Sequence, residues 1–210
     1  MALIGRRRRS DDDITVRRAD QRSLTEYDGI RTLHSFSAGA HYDPDNVAFG
    51  ALVGVDEHEL APGARFERHA HRGVTIISWV LDGTLAHHGA ESVLVPSGTA
   101  LVQATGSGIE HVEANASDTE PLRFVQLTVT EDVPAAGTRA GVPPIGTGAV
   151  LFDVLRDGSL IIEAERAHLY VAAGQFAVQR NALYPGDSLR ASQEAITVEG
   201  SGELLVLVLR

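Results

Sequence analysis

The chain has 210 residues, 43% of them hydrophobic, with 18 Lys or Arg against 28 Asp or Glu and a formal net charge of −10. That length and apolar content allow one large β domain or two small barrels, while the acidic balance repels phosphate backbones and argues against direct nucleic-acid binding. Cysteine is absent, so disulfides and thiolate metal sites are excluded and any metal must be held by nitrogen and oxygen.

The chain opens with four arginines, Arg6 to Arg9, followed by Asp11 to Asp13, and no apolar signal segment comes after them. Residues 1–13 are therefore read as a solvated, disordered tail. No stretch approaches the ~20 apolar residues that span a bilayer, so a cytoplasmic protein with no membrane partner is expected.

Beyond the tail, period-two alternation and β-branched residues dominate. Strands are predicted at Val47 to Val55, Val74 to Leu81, Ser92 to Val95, Leu122 to Thr130, Leu160 to Ala164 and Leu204 to Leu209. Turn signals separate them: Pro62-Gly63, Asp82-Gly83, Pro96-Ser97-Gly98, Asp157-Gly158, Pro185-Gly186 and Glu199-Gly200. Short strands at this spacing predict an all-β chain, an antiparallel barrel or sandwich. From Pro134 to Gly148 the chain is rich in Ala, Gly, Pro and Thr and has little to bury. Residues 134–148 are read as a linker between an N-terminal barrel (14–133) and a smaller C-terminal one (149–210). Similar Pro/Gly turns in the two units hint at a duplicated barrel.

The chemistry lies in the N-terminal unit. His69 and His71 flank Ala70; on a strand both imidazoles share a face, about 6–7 Å apart at the backbone. Forty residues on, His111 and Glu113 repeat the i, i+2 arrangement. Two such pairs in one barrel form a set of three histidines and one carboxylate, read here as the ligands of one ion. Those donors suit Fe(II), Ni(II), Cu(II), Mn(II) or Zn(II) without choosing among them. Four protein ligands leave coordination positions open, the layout of a catalytic site. The other histidines read as structural or solvated. His58 lies among Asp56, Glu57 and Glu59; His87 and His88 precede a turn and face opposite ways; His168 is alone in the C-terminal unit; His34 is a candidate hydrogen-bonded residue; Trp79 reads as core.

Several runs resemble the pirin family: Leu33-His-Ser-Phe-Ser, His41-Tyr-Asp-Pro-Asp, Phe49-Gly-Ala-Leu, His69-Ala-His-Arg-Gly, Ile77-Ser-Trp-Val-Leu-Asp-Gly and Gly106-Ser-Gly-Ile-Glu-His-Val-Glu. Their order and spacing match over residues 27–130, and Arg156-Asp-Gly-Ser with the short C-terminal half resembles compact bacterial members. The resemblance implies a bicupin, two cupin-type antiparallel β-barrels with metal only in the first, held by His69, His71, His111 and Glu113. It implies iron as the first expectation, with nickel, copper, manganese, cobalt or zinc as alternatives. It also implies ring cleavage of a flavonol such as quercetin by O₂ with release of carbon monoxide; in that reaction Glu113 is expected to serve as ligand and, if it loosens, as the base that takes the 3-hydroxyl proton. The partners then expected are a small aromatic substrate and O₂, with a monomeric chain. Other family members are described as regulators, so a non-enzymatic, metal- or redox-responsive protein that binds a protein partner is the alternative; isomerase or hydrolase chemistry stays open because fold does not fix reaction. The chain departs from the family pattern at Thr75, Thr99 and Val112 and carries Leu101-Val-Gln where Gln-Trp-Met is usual. These changes spare the four ligands and bear on what surrounds them.

Overall fold

The computed structural model describes residues 14–131, 136–192 and 195–210. The tail read at 1–13 and the first residues of the linker, 134–135, lie outside them. Eighteen strands follow one another among the described residues. The first eleven are β1 Ile14–Arg17, β2 Ser23–Tyr27, β3 Ile30–His34, β4 Leu52–Leu60, β5 His69–His71, β6 Val74–Asp82, β7 Thr84–His88, β8 Ser92–Pro96, β9 Ala100–Ala104, β10 Ile109–Asn115 and β11 Leu122–Thr130. The remainder are β12 Gly137–Gly141, β13 Ile145–Gly146, β14 Val150–Glu163, β15 Arg166–Val178, β16 Asn181–Leu183, β17 Ser188–Ala191 and β18 Ala195–Leu209.

The strands form three antiparallel sheets. A large N-terminal sheet runs β12-β9-β6-β11-β4-β3-β2, a small one runs β5-β10-β7-β8, and a C-terminal sheet runs β1-β17-β15-β18-β14-β13 with β16 beside β15. The all-β, cupin-like bicupin expectation holds, although the sheets pack as sandwiches rather than as closed barrels. Two boundaries differ from the sequence reading. Ile14–Arg17, assigned to the N-terminal unit, pairs with β17 of the C-terminal sheet. The described part of the linker contains β12, which pairs with β9, and β13, which pairs with β14. Ile14 and Val16 of β1 pack on the C-terminal core and Ile145 of β13 is buried in the shared one, whereas β12, Gly-Thr-Arg-Ala-Gly, carries no apolar alternation and is placed by its pairing.

Burial follows the layers. On β6, Ile77 and Trp79 join Leu52, Val55, Val125 and Leu127 in a core shared with Phe152, Tyr170, Leu205 and Leu207 of the C-terminal half. Val80 points the other way, into a core with Leu85, Val95 and Phe124. The large sheet is thus covered on both faces, which leaves β6 and β11 buried along most of their length. Inside the C-terminal half, Leu169, Val171, Phe176, Val198 and Leu204 form a third core. Its long strands β15 and β18 pair with Gly174 opposite Gly202, and both glycines, at positive φ, leave no room there for a Cβ.

A buried polar clasp ties the halves together. Glu57 on β4 pairs with Arg22 and Arg123, each at 2.6 Å, and accepts a short hydrogen bond from the Tyr170 hydroxyl of β15. Burial pushes the Glu57 carboxyl up, but the hydrogen bonds from Tyr170 and Arg22 and the charge of Arg123 outweigh it and hold the carboxyl below its ordinary range.

Candidate metal centre

The site is built by strand register. In the small sheet β10 lies between β5 and β7, with His111 directly opposite His69 and Glu113 directly opposite His87. Residues opposite each other, or two apart on one strand, share a face. His69, His71, His111, Glu113 and His87 therefore all project toward the large sheet. Gln103 on β9, Ser78 on β6 and Gln126 on β11 meet them from there.

The three predicted histidines converge. Ligand nitrogens of His69, His71 and His111 all lie within 4.8 Å of one another, forming a group able to hold one metal ion. The Nε2 atoms of His69 and His111 are 2.9 Å apart. His69 Nδ1 lies 2.7 Å from the Glu67 carbonyl; donation there leaves its Nε2 lone pair free. His111 Nδ1 lies 3.0 Å from His87 Nε2 and 3.1 Å from the Gln103 amide. That occupies the far nitrogen and again leaves Nε2 toward the cluster. His71 Nε2 is buried with no partner among the described residues, an orphan that a bound cation would satisfy. A divalent ion sits roughly 2.0–2.2 Å from imidazole nitrogens, so this donor set fits one.

Glu113 sits at the edge of this group. Its Oε2 is 4.0 Å from His111 Nε2, and both its oxygens accept from the Gln126 amide at 3.2 Å. It is 2% exposed. Burial lifts its carboxyl above the ordinary range, while the Gln126 and Ser78 hydrogen bonds pull the other way. The histidines shift oppositely. Burial first, and then the charges of His69, His71 and His87, lower His111 to about 3. Burial also lowers His71 and His87. Neutral imidazoles are the form that ligates metal.

Two residues at the site were read otherwise or passed over in the sequence. His87, read as a turn neighbour, is 2% exposed and touches His111. Gln103, within the stretch that departs from the family pattern, is 1% exposed and contacts both His87 and His111. Thr75, another departure, donates instead to Glu131 at 2.7 Å. Away from the site, His58 is not solvated as expected; it is 6% exposed, bonded to Thr32 and packed against Phe66 and Phe124. His34 does bond, to Asp56 at 2.8 Å, and Trp79 is core, its Nε1 donating to Glu203.

An antiparallel β-sandwich pair with a histidine cluster inside its first half defines the cupin class. The pirin family profile matches residues 16–129. A Mycobacterium tuberculosis protein provisionally named quercetin 2,3-dioxygenase is 31% identical over 92% of this chain and 93% of its own length. The quercetin 2,3-dioxygenase of Escherichia coli K12 is 30% identical, covering 72% of this chain and 68% of that one. Among solved structures, a nickel(II)-bound bacterial pirin of E. coli superposes with a TM-score of 0.82 at 23% identity, covering 93% of this chain and 99% of that one. The chain belongs to the pirin family. No helix among the described residues is long and apolar enough to cross a membrane.

Proposed function

We propose that the protein is a metal-dependent dioxygenase that opens the central ring of a flavonol such as quercetin with O₂ and releases carbon monoxide, with one ion held by His69, His71, His111 and Glu113. The observation that carries this reading is the convergence of three imidazoles, two of them, His69 and His111, with their far nitrogens tied back. The names of the relatives from E. coli and M. tuberculosis supply the substrate class. We take iron as the ion, with nickel supported by the solved E. coli pirin and copper, manganese, cobalt or zinc compatible with the same donors.

A bound divalent ion supplies positive charge that stabilises a deprotonated 3-hydroxyl and a template for O₂. The chain's own residues do the rest. The main-chain carbonyl of Glu67 and the His87–Gln103 pair fix the ring orientations of His69 and His111. Gln126 and Ser78 hold the Glu113 side chain toward the cluster. Glu113, the carboxylate beside the cluster, takes the 3-hydroxyl proton as general base.

The test is O₂ uptake and carbon monoxide release with quercetin, by protein loaded in turn with Fe, Ni, Cu, Mn and Co. Activity is expected with at least one of them, and Glu113→Gln should abolish it while circular dichroism stays unchanged. Wild-type turnover by that variant removes the role given to Glu113. Silence with all five metals favours the alternative, a non-enzymatic regulator that binds a protein partner.

A further inference from the structure

A cavity of about 530 Å³ lies against the His111 ring, lined also by His87, Gln103, Gly89, Glu110 and Thr138. That size is in the range of small-molecule sites, roughly 300–1,000 Å³. Among its lining residues are the carboxylates Glu91 and Glu110 and no Lys or Arg. An anionic ligand is therefore disfavoured and a neutral one favoured. Glycine and alanine at positions 89, 90, 108, 136 and 137 keep the walls small. A Cβ at Gly89 would come within 3.1 Å of His87 Cε1.

The polar part of the lining is incomplete. His87 Nδ1 and Gln103 Oε1 are buried with no hydrogen-bond partner among the described residues, although His87 Nε2 and the Gln103 amide are engaged with each other and with His111. The proton count leaves the same vacancy whichever way the Gln103 amide is turned. If His111 Nδ1–H donates to His87 Nε2, then His87 carries its own proton on Nδ1. That N–H is then a free donor, and Gln103 Oε1 is a free acceptor. If the amide is reversed, its oxygen accepts from both rings. His87 Nδ1 then becomes the free acceptor and the amide NH₂ the free donor. At least one donor and one acceptor remain in both cases, and a hydroxyl, which both donates and accepts, is the group able to serve each of them.

We propose that this cavity binds a neutral, hydroxyl-bearing aromatic molecule, and that His87 and Gln103 select it by reading one ring hydroxyl that accepts from one of them and donates to the other. The choice of quercetin as probe rests on the flavonol reading above, but binding measured without oxygen reports on the cavity whether or not turnover occurs. Specificity of this kind is strong because an analogue lacking the hydroxyl leaves buried polar groups unpaired.

The test is anaerobic calorimetry on Fe(II)-loaded full-length protein, with quercetin and with 3-hydroxyflavone, which lacks the other ring hydroxyls, at equal measured metal content. Gln103→Leu should weaken quercetin binding about tenfold, the order expected for one hydrogen bond, and weaken 3-hydroxyflavone binding by a smaller factor. Thr138→Trp fills the cavity from the edge strand β12, away from the metal cluster, and should weaken both ligands about tenfold or more. The proposal is overturned if wild-type protein does not bind quercetin, if Thr138→Trp binds it as wild type does, or if Gln103→Leu affects the two ligands equally.

Discussion

Between its sheets the N-terminal half carries His87, Gln103, His111, Glu113 and Gln126, whereas the inside of the C-terminal half is filled by Leu169, Val171, Phe176, Val198 and Leu204. Both halves are antiparallel β layers of similar strand chemistry, and they share a core across the outer face of the large sheet. What differs is which residues the alternation turns inward. Among the described residues the first half gathers unpaired buried polar atoms of His71, His87 and Gln103 around one histidine cluster, while those of the C-terminal sheet, on Arg17, His168 and Arg190, surround no such cluster. The second half, joined through Trp79, Phe152 and Leu205 and through the Glu57 clasp, packs an apolar interior of its own. The two halves thus divide the work between chemistry and stability.

Substitutions on the two sides should separate these roles. The largest expected effect is Phe176→Ala, which empties a fully buried position in the second half and should cost about 3–5 kcal/mol of unfolding free energy. Chemical denaturation reads it, and the metal content of the folded fraction should not change. A loss of metal in step with stability would mean that the halves are not separable in this way.

A smaller effect is expected from acid. His168, the buried histidine of the second half, has its pKa lowered to about 3, first by burial and then by the neighbouring Arg190 charge. In the unfolded chain it titrates near ~6.5. Between those values the unfolded state binds more protons, so stability falls as pH drops from roughly 6.5 toward 3, by up to about 1.4 kcal/mol per pH unit for one such group. Urea midpoints at pH 7 and pH 5 should therefore differ less in His168→Gln than in wild type. Identical slopes would remove His168 as a source of acid sensitivity. His58, lowered to about 4 mainly by burial, contributes in the same direction in both proteins.

Much of this contrast was legible in the sequence, and its limits are physical. The i, i+2 spacing of His69 with His71 and of His111 with Glu113 is a property of one strand, and alternation alone puts each pair on one face. That His111 faces His69, and that Glu113 faces His87, depends on pairing between strands far apart in sequence, which no local pattern carries. For His87 and His88, likewise, alternation says that one of the two points inward but not which. His58 was misread for a related reason. Its acidic neighbours suggested solvent, yet Glu57 is itself buried against Arg22, Arg123 and Tyr170. The strand β1 joined the other half because register, rather than its place in the chain, decided its partner. The long strands β14 and β18 were seen only in part, since Gly158 and Gly200 sit inside them and read as turns.

The most direct test of the central claim is elemental analysis of the full chain after anaerobic loading with Fe(II) and removal of free metal, beside His111→Ala treated identically. The account predicts one ion per chain in the wild type and none held stoichiometrically by the variant, with both proteins equally folded by circular dichroism. An ion retained by His111→Ala, or no ion in the wild type, would contradict it.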